Sequence, residues 1–545
     1  MAKRKGKSNF IIQGSILAIA GILVRVIGLV YRVPLNNILG NSGISAYSTA
    51  YDVYSLFLLI SSQSLPLAVS KIVSARMAKR QIRNAYRAFC GSMVLAATIG
   101  LIVGTGVYFG AEWLASAWKF PSASLAIKVL APTLFIMCIL GVFRGFFQGL
   151  GTMIPTAVSQ IFEQIVNAVV SIVAAMYLYQ AGEKAGQASA YSAAGGTLGT
   201  ACGALTALIF VFLVYVVYRG SFIKMVRKDR RGYEESFAEL SKVLAVTILP
   251  VLLSTTIYNF SNIIDSGIYG NVMSYVFGLE EADYSGYWGI YSNKYRLLTT
   301  APIAVASAFS SAMIPSLISS LVSGKQKELR RKVDSTIRLN MIIAIPCGVG
   351  LSVLAGPIIQ VLFPSPDLYE ECVRLMRLSF FSVVVFSLST ITNSILQGIA
   401  KMKVPVINSS ISLVLHIFVI LLLLVVFKLN VYGAALGDII FGLVVCILNA
   451  FSIRKYLNYH QEIVRTFLLP TIAAGIMGVG AYGLDKLLYI LTGSVAVSLI
   501  LAILFAIFIY GVLLFLFNII SEEELRMIPK GYKLIPIVKK LGLMK

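Results

Sequence analysis

Charged residues are scarce in this chain of 545 residues, making up 13% of the sequence, whereas soluble globular domains carry about 25%. Apolar residues account for 58%, and the mean hydropathy is +0.85. Polar surface this limited cannot cover a protein of 59.1 kDa in water. The composition therefore argues against a soluble fold. It also excludes a disordered chain, because disorder needs low hydrophobicity and high charge.

Histidine is rare as well, and the cysteines do not occur in closely spaced pairs. His416 and His460 are the only two histidines, and none of the six cysteines forms a CxxC pair. Neither a zinc site, nor a disulfide framework, nor a histidine-based catalytic triad is indicated. The sequence contains no P-loop, GxSxG or HExxH motif, so nothing in it points to an enzyme or an ATP-driven pump. We expect no metal and no cofactor.

Acidic residues are outnumbered, since 46 Lys and Arg against 23 Asp and Glu leave a formal net charge of +23. In a soluble protein such an excess suggests nucleic acid binding. Here the basic residues lie in short clusters between apolar runs, which is typical of the cytoplasmic loops of membrane proteins. We therefore predict membrane lipids, and not nucleic acid, as partners.

Long apolar segments predict an all-α integral membrane protein, because a helix needs about 20 apolar residues to cross the bilayer core. About fourteen transmembrane helices are predicted, at roughly 10–35, 45–76, 87–112, 125–150, 154–180, 191–219, 241–268, 285–322, 337–363, 370–399, 403–429, 431–456, 466–490 and 493–519. With this count the loops alternate in charge: residues 79–87, 219–231 and 325–332 are basic, whereas 280–283 and 367–371 are acidic. The alternation places both termini in the cytoplasm.

An internal repeat divides the predicted helices. Residues 66–77 resemble 302–313, in spans 2 and 8, and the Gln-Gly pair at 148–149 resembles the pair at 397–398, in spans 4 and 10. Both matches imply two six-helix lobes in the same orientation, related by an axis along the membrane normal. The predicted parts are an N-lobe (1–235), a C-lobe (236–460) and a C-terminal helix pair with a tail (461–545). Chance similarity between apolar segments is the alternative.

Basic residues inside the spans are the strongest functional candidates, because a charge within the bilayer costs at least a few kcal/mol. Arg25 and Arg32 lie two helical turns apart in span 1 and share a face, which Asn36 continues. Lys294 and Arg296 lie inside span 8. If spans 1 and 8 meet, these side chains form a cationic cluster that binds phosphate, because guanidinium forks match phosphate oxygens.

Alternatives stay open for individual arginines. Arg32 could snorkel to the outer surface, and Arg25 could belong to a structural ion pair. Arg144, near the cytoplasmic end of span 4, fits an interface anchor or a contact with cytoplasmic lipid or a substrate headgroup.

Tyrosines recur at helical spacing in both predicted lobes. They are Tyr47, Tyr51 and Tyr54 in span 2 and Tyr284, Tyr287, Tyr291 and Tyr295 in span 8. The pattern fits an aromatic belt at the outer interface or a wall on which sugars stack. In the second interpretation Tyr291 and Tyr295 contact the substrate.

Acidic residues inside the spans are candidates for ion coupling. They are Asp52, Glu163, Asp265, Asp438 and Asp485. Asp265 follows Asn259 and Asn262 on span 7, a polar face suited to coordinate a sodium ion or to carry a proton. An ion pair with an arginine is the alternative.

Several motifs resemble one known family. They are Arg25-Val-Ile-Gly28-Leu-Val-Tyr-Arg32 in span 1, Tyr295-Arg296 and Ile314-Pro315-Ser316-Leu317 in span 8, and the two Gln-Gly pairs. Over essentially its whole length the chain resembles the multidrug/oligosaccharidyl-lipid/polysaccharide (MOP) exporter superfamily, which includes the MATE transporters. The nearest branch is the polysaccharide transporters, with the lipid II flippases and the stage V sporulation protein B transporters.

This resemblance implies two lobes in a V around a central cationic cavity. The cavity arginines of the family carry over onto Arg25, Arg32 and Arg296. The last two spans, here from Tyr482 to Tyr510, form a groove for a polyprenyl tail. One departure is clear: residues 61–63 read Ser-Ser-Gln where the lipid II flippases have an arginine in span 2.

The expected function is that of a flippase, not an enzyme. It would carry an anionic, undecaprenyl-pyrophosphate-linked cell-wall precursor, with lipid II as first choice, across the bacterial cytoplasmic membrane by alternating access. Sodium ion, proton or membrane potential would drive it. We expect a monomer, with cell-wall synthesis enzymes as candidate partners. Alternatives are a flippase for another envelope or spore polysaccharide precursor, a cation-coupled small-molecule exporter, a non-transporting scaffold and a membrane glycosyltransferase.

Overall fold

The computed structural model describes residues 2–61, 65–229, 263–364, 367–399, 401–520 and 522. Within these ranges the backbone is helical apart from short turns, which confirms the predicted all-α class. Ten of the described helices are long and apolar enough to cross a membrane. They correspond to predicted spans 3 to 6 and 9 to 14. Predicted spans 2 and 7 include residues outside the described ranges, so the total of about fourteen stays a prediction.

The first of two compact units comprises residues 1–289. Its helices are α1 (Ala2–Ser61), α2 (Leu65–Ala78), α3 (Ile82–Ala117), α4 (Ser124–Gly149), α5 (Ile154–Lys184), α6 (Ala188–Lys228), α7 (263–271) and α8 (Glu281–Gly289). Helix α1 is kinked at Gly40, whose φ of +64° is a conformation that glycine adopts without steric cost. Two helical segments therefore meet at Gly40 within α1: the first contains predicted span 1, and the second contains the start of predicted span 2.

The second unit comprises residues 290–545. It begins with a π-helical turn (Ile290–Tyr295), and its helices are α9 (Arg296–Val322), α10 (Gln326–Val353), α11 (Ala355–Leu362), α12 (Tyr369–Met376), α13 (Ser379–Gly398), α14 (Lys403–Leu421), α15 (Val431–Leu457), α16 (Leu469–Thr492) and α17 (Val495–Leu516). Predicted span 9 is interrupted at Leu354, because Pro357 has no N–H to donate to the preceding turn. Predicted span 10 likewise consists of two helices, α12 and α13.

The two Gln-Gly pairs of the sequence repeat make equivalent helix contacts. A Cβ on Gly149 of α4 would lie 2.7 Å from Val73 of α2, so the backbone of α4 lies directly against α2. In the second unit Gly398 of α13 faces Leu317 of α9 in the same way, at 3.5 Å. The matched pairs of helices, α2 with α4 and α9 with α13, agree with the predicted six-helix repeat.

The border between the two units differs from the predicted lobe border near residue 235. Helices α7 and α8, which the repeat assigns to the second lobe, pack on the loop between α3 and α4 in the first unit. Ser122 donates from its backbone N–H to Glu281 at 3.2 Å, and Trp288 lies against Phe120, with ring centroids 6.4 Å apart. Burial raises the pKa of the Glu281 carboxyl, and its hydrogen bonds with Ser122 oppose this rise. The repeat-based border remains a prediction.

Three glycines spaced four residues apart bring α6 close to α5. A Cβ on Gly195 would lie 2.5 Å from the Ala174 carbonyl oxygen, and one on Gly203 would lie 2.5 Å from the Glu163 carbonyl oxygen. A Cβ on Gly199, between them, would overlap with Ser171 Oγ. Small residues at this spacing let helix backbones approach within a membrane, so side chains next to the stripe can reach across from one helix to the other.

We expect Gly199→Ala to lower the free energy of unfolding by about 1–3 kcal/mol, because the added methyl group overpacks the α5–α6 contact. Gly220→Ala on the same helix is the matched control, since nothing lies within 4 Å of a Cβ there. Thermal unfolding of the two purified variants in the same detergent measures the difference. Equal stabilities would show that the glycine stripe does not set the helix separation.

Candidate functional site

Arg32 of α1 lies in a polar region of the first unit. Its side chain is half-buried, and it interacts electrostatically with Tyr31, Tyr47 and Tyr51. Among the described residues it takes part in no ion pair. The charge of Arg32 therefore interacts with neutral tyrosine hydroxyls and with no carboxylate among the described residues, which leaves it able to attract an anion.

Hydrogen bonds from α5 and α6 hold these tyrosines. The hydroxyls of Tyr51 and Thr200 are bonded to each other, and Thr200 donates to Asn167 Oδ1 at 3.3 Å. Asn167 Nδ2 donates to the Tyr31 hydroxyl, also at 3.3 Å. Asn167 and Thr200 were not among the residues predicted from the sequence. The signal that could have found them is the glycine spacing of α6, because Thr200 directly follows Gly199.

Asn36, predicted as a site residue, lies one helical turn beyond Arg32 and is 3% exposed. Neither its amide nitrogen nor its amide oxygen has a hydrogen-bond partner among the described residues. Leaving such a buried group unsatisfied costs about 1–3 kcal/mol. Asn36 therefore adds an available donor and acceptor on the face of α1 that carries Arg32.

Arg25 has a different environment from Arg32. Its side chain is exposed, and about 10 Å of helix axis separates the two residues. Ser62 and Gln63, which stand where the lipid II flippases have an arginine, lie outside the described residues.

Arg296 of the second unit forms an ion pair, which corrects the prediction of a uniformly cationic cluster. Its Nη2 lies 3.0 Å from Asp438 Oδ2 and 2.9 Å from the Tyr291 hydroxyl, which also bonds to Asp438. The guanidinium stands over the Tyr291 ring, 4.6 Å from its centroid. A largely buried guanidinium needs a counter-charge in a low-dielectric environment, and Asp438 supplies it.

Lys294 does not join Arg296, contrary to the prediction. Its side chain is 4% exposed, its Nζ lies 5.5 Å from the centroid of the Phe363 ring, and Cys372 of α12 is close by. Residues two apart on a helix point in nearly opposite directions. For this reason Lys294 faces the α11–α12 region, whereas Arg296 faces α15.

In this structure the most buried tyrosines fit neither interpretation of the tyrosine pattern, and a contact of Tyr291 and Tyr295 with substrate stays a prediction. Tyr291 is 0% and Tyr295 is 1% exposed, and their rings stack on each other with centroids 5.9 Å apart. Buried rings neither form a belt in the lipid interface nor present an open wall to sugars. Tyr291 serves instead as a hydrogen-bond partner of Arg296 and Asp438.

Arg144 is likewise neither an interface anchor nor a headgroup contact. It is buried, and its Nη2 lies 2.7 Å from Glu163 Oε2 on α5, while its Nε donates to Ser159 at 3.0 Å. The predicted ion-coupling face stays a prediction: Asp265 is buried, whereas Asn259 and Asn262 lie outside the described residues.

An apolar cavity of about 620 Å³ lies within the second unit. Its lining comes from α9, α10, α11, α16 and α17, and includes Pro302, Pro346, Gly350, Ile358, Met477, Ala506 and Tyr510. Tyr510 donates its hydroxyl hydrogen to the Ile342 carbonyl at 2.9 Å, so the ring keeps an apolar face towards the cavity. Tyr510, at one end of the predicted tail groove, lines this cavity, whereas Tyr482, at the other end, is exposed. The groove itself stays a prediction.

Family models match two parts of the chain. Residues 12–321 match the model described as "Polysaccharide biosynthesis protein", and residues 296–422 match the model described as "MatE". The first match covers more than half of the chain.

Two curated relatives come from Bacillus subtilis (strain 168). The chain is 26% identical to "Lipid II flippase MurJ" over 87% of its own length and 88% of the relative. It is 24% identical to "Stage V sporulation protein B" over 96% of its own length and 98% of the relative.

Solved structures share the fold. "Lipid II flippase MurJ, inward closed conformation" aligns with a TM-score of 0.66 at 16% identity, over 91% of this chain and 97% of that one. An inward-facing MATE family transporter of the MOP superfamily also aligns with a TM-score of 0.66, at 15% identity, over 81% of this chain and 98% of that one.

We expect either Arg296→Met or Asp438→Asn to lower the free energy of unfolding by about 3–5 kcal/mol, because each removes one member of a buried ion pair. The double variant should lose less than the sum of the two single losses. Lys128→Met is the control, because the Lys128–Glu112 pair is largely exposed and should contribute less than about 1 kcal/mol. Additive losses in thermal unfolding would contradict a direct interaction between Arg296 and Asp438.

Proposed function

Because the chain belongs to the polysaccharide biosynthesis protein family, we propose that it is a flippase that moves a lipid-linked, anionic glycan precursor to the outer leaflet of a bacterial cytoplasmic membrane. Its relatives and structural neighbours are named as flippases and transporters, so the chain is a transporter and not an enzyme. The ten long apolar helices found among the described residues are those of a multi-pass membrane protein.

The observation that carries the proposal is the environment of Arg32. A diphosphate accepts hydrogen bonds from guanidinium and hydroxyl groups, and Arg32 lies among tyrosine hydroxyls without an ion pair in the described residues. Asn36 offers a further buried amide on the same helix face. We assign the pyrophosphate group of the carrier lipid to this region.

The apolar cavity of the second unit supports a lipid substrate. A cavity lined by proline, isoleucine, methionine and tyrosine side chains solvates a branched hydrocarbon chain but not a sugar, because burying unpaired hydroxyl groups is unfavourable. We assign part of the isoprenoid tail to this cavity.

Lipid II is the specific substrate that we propose. The similarity to a lipid II flippase over most of both chains supports it, whereas the similarity to stage V sporulation protein B supports a spore polysaccharide precursor instead. Expression in a strain depleted of its own lipid II flippase separates the two. Restored growth supports lipid II, and failure to grow despite normal membrane insertion contradicts it.

The proposed driving force is a sodium or proton gradient or the membrane potential, which is worth about 2.3 kcal/mol per charge and 100 mV. We propose that the chain works as a monomer, with cell-wall synthesis enzymes as candidate partners.

A cation-coupled small-molecule exporter is the second candidate function, favoured by the MatE match. Cationic drugs need an acidic site, however, and the Arg32 region is basic.

We expect Arg32→Ala to slow outer-leaflet exposure of labelled lipid II by at least about tenfold in proteoliposomes, because it removes the charge that attracts the diphosphate. Arg32→Lys should be intermediate, since an ammonium keeps the charge but not the two-pronged geometry. Arg374→Ala, at an exposed arginine paired with Glu370, should leave the rate unchanged. A full rate in Arg32→Ala would refute the proposed diphosphate site.

The tail assignment is tested by filling the cavity. Gly350 lines it, and nothing lies within 4 Å of a Cβ there, so Gly350→Leu should fit without a clash and occupy the space of the tail. We expect slower transport of substrates with a full-length isoprenoid and a smaller effect on short-tailed analogues. Gly475→Leu is the control, because Gly475 is equally open but does not line the cavity. Equal rates for both variants and both tail lengths would contradict the assignment.

A further inference from the structure

The tyrosines around Arg32 are connected to one buried amide on a neighbouring helix. Asn167 of α5 is 9% exposed. It reaches Tyr31 through its amide nitrogen and Thr200 through its amide oxygen, and Thr200 in turn bonds to Tyr51. One side chain thus connects, directly or through a single hydroxyl, two of the three tyrosines that interact with Arg32.

The contact between α5 and α6 next to Asn167 holds its amide group in place. Ser171 Oγ, one turn along α5, lies 3.0 Å from Asn167 Oδ1 and 2.7 Å from the Gly196 carbonyl oxygen on α6. A Cβ on Gly203 would lie 3.2 Å from the Asn167 Cβ. The close approach of α6 therefore confines Asn167 to one orientation and places Thr200 within its reach.

The bonds of Asn167 also determine which tyrosine donates and which accepts. An amide nitrogen only donates, so the Tyr31 hydroxyl accepts from Asn167 and keeps its own hydrogen for another acceptor. An amide oxygen only accepts, so Thr200 uses its single hydrogen for Asn167, and the Tyr51 hydroxyl must donate to Thr200. Because its hydrogen points to Thr200, the Tyr51 oxygen keeps its lone pairs, and Tyr51 interacts electrostatically with Arg32.

We propose that Asn167, acting through Thr200, is the positioning residue of the Arg32 site and makes it selective for a diphosphate. It orients the Tyr51 hydroxyl so that its oxygen stabilises the Arg32 charge electrostatically, and it leaves the Tyr31 hydroxyl hydrogen available for a phosphate oxygen. The inference rests on the proposed function, because it assumes that the anion bound near Arg32 is the diphosphate of the carrier lipid.

The test is binding of undecaprenyl pyrophosphate to the full-length chain in nanodiscs, with undecaprenol as the probe that carries the same tail and no charge. Thr200→Val keeps the shape of the side chain and removes the hydroxyl, so we expect ~three- to tenfold weaker binding of the pyrophosphate and unchanged binding of undecaprenol. Thr200→Ser restores the hydroxyl and should bind like the wild type.

Two further variants sharpen the result. Thr206→Val on the same helix removes a hydroxyl that bonds to the Cys202 carbonyl of its own helix, and it should bind both lipids like the wild type. Asn167→Asp turns the amide donor into an acceptor and adds a negative charge near Arg32, so it should weaken pyrophosphate binding more than Thr200→Val does.

Wild-type affinity for the pyrophosphate in Thr200→Val, or an equal loss for both lipids, would overturn the inference. In both cases a loss in Arg32→Ala would leave the proposed diphosphate site standing. An unchanged pyrophosphate affinity in Arg32→Ala would remove that site and the positioning role with it.

Discussion

The cost of placing charge in a low-dielectric interior shapes the polar groups of this protein. Arg144 and Arg296 are each matched by a carboxylate, Glu163 and Asp438, as the high desolvation cost of a buried ion requires. The environment of Arg32 differs from theirs, because Arg32 interacts with tyrosine hydroxyls. Hydroxyls lower the cost of the charge without cancelling it, so Arg32 keeps an attraction for anions that the paired arginines have largely lost.

Helix packing in the first unit stabilises the polar network beside Arg32. The glycine stripe of α6 removes the side chains that would keep α5 and α6 apart, and the space gained allows Asn167 and Thr200 to bond across the contact. A polar network inside a membrane protein is stable only when its members are satisfied. The close packing of the small residues and the hydrogen bonding of the polar residues therefore both follow from the short distance between α5 and α6.

A substrate with a charged headgroup and a long hydrocarbon tail needs two kinds of environment, and the chain contains both. The first unit holds the basic, hydroxyl-rich region around Arg32, and the second unit contains an apolar cavity of about 620 Å³. Neither region would solvate the other end of such a molecule, because sugars and phosphates need hydrogen-bond partners and isoprenoids need apolar contacts. This division favours a lipid-linked substrate over a small soluble one.

The sequence by itself determined the membrane environment, the helical class and the repeat, and it singled out Arg32 as a candidate, because these follow from hydropathy, charge and spacing along a single helix. The tertiary structure decided which side chains contact each other. Spacing shows which residues share a helix face but not which helix that face meets, so the pairing of Arg296 with Asp438, the separation of Lys294 from Arg296 and the burial of Tyr291 and Tyr295 could not be read from it. The connection of Asn167 to Thr200 was hidden for the same reason, since two residues 33 positions apart become neighbours only when glycines let their helices touch.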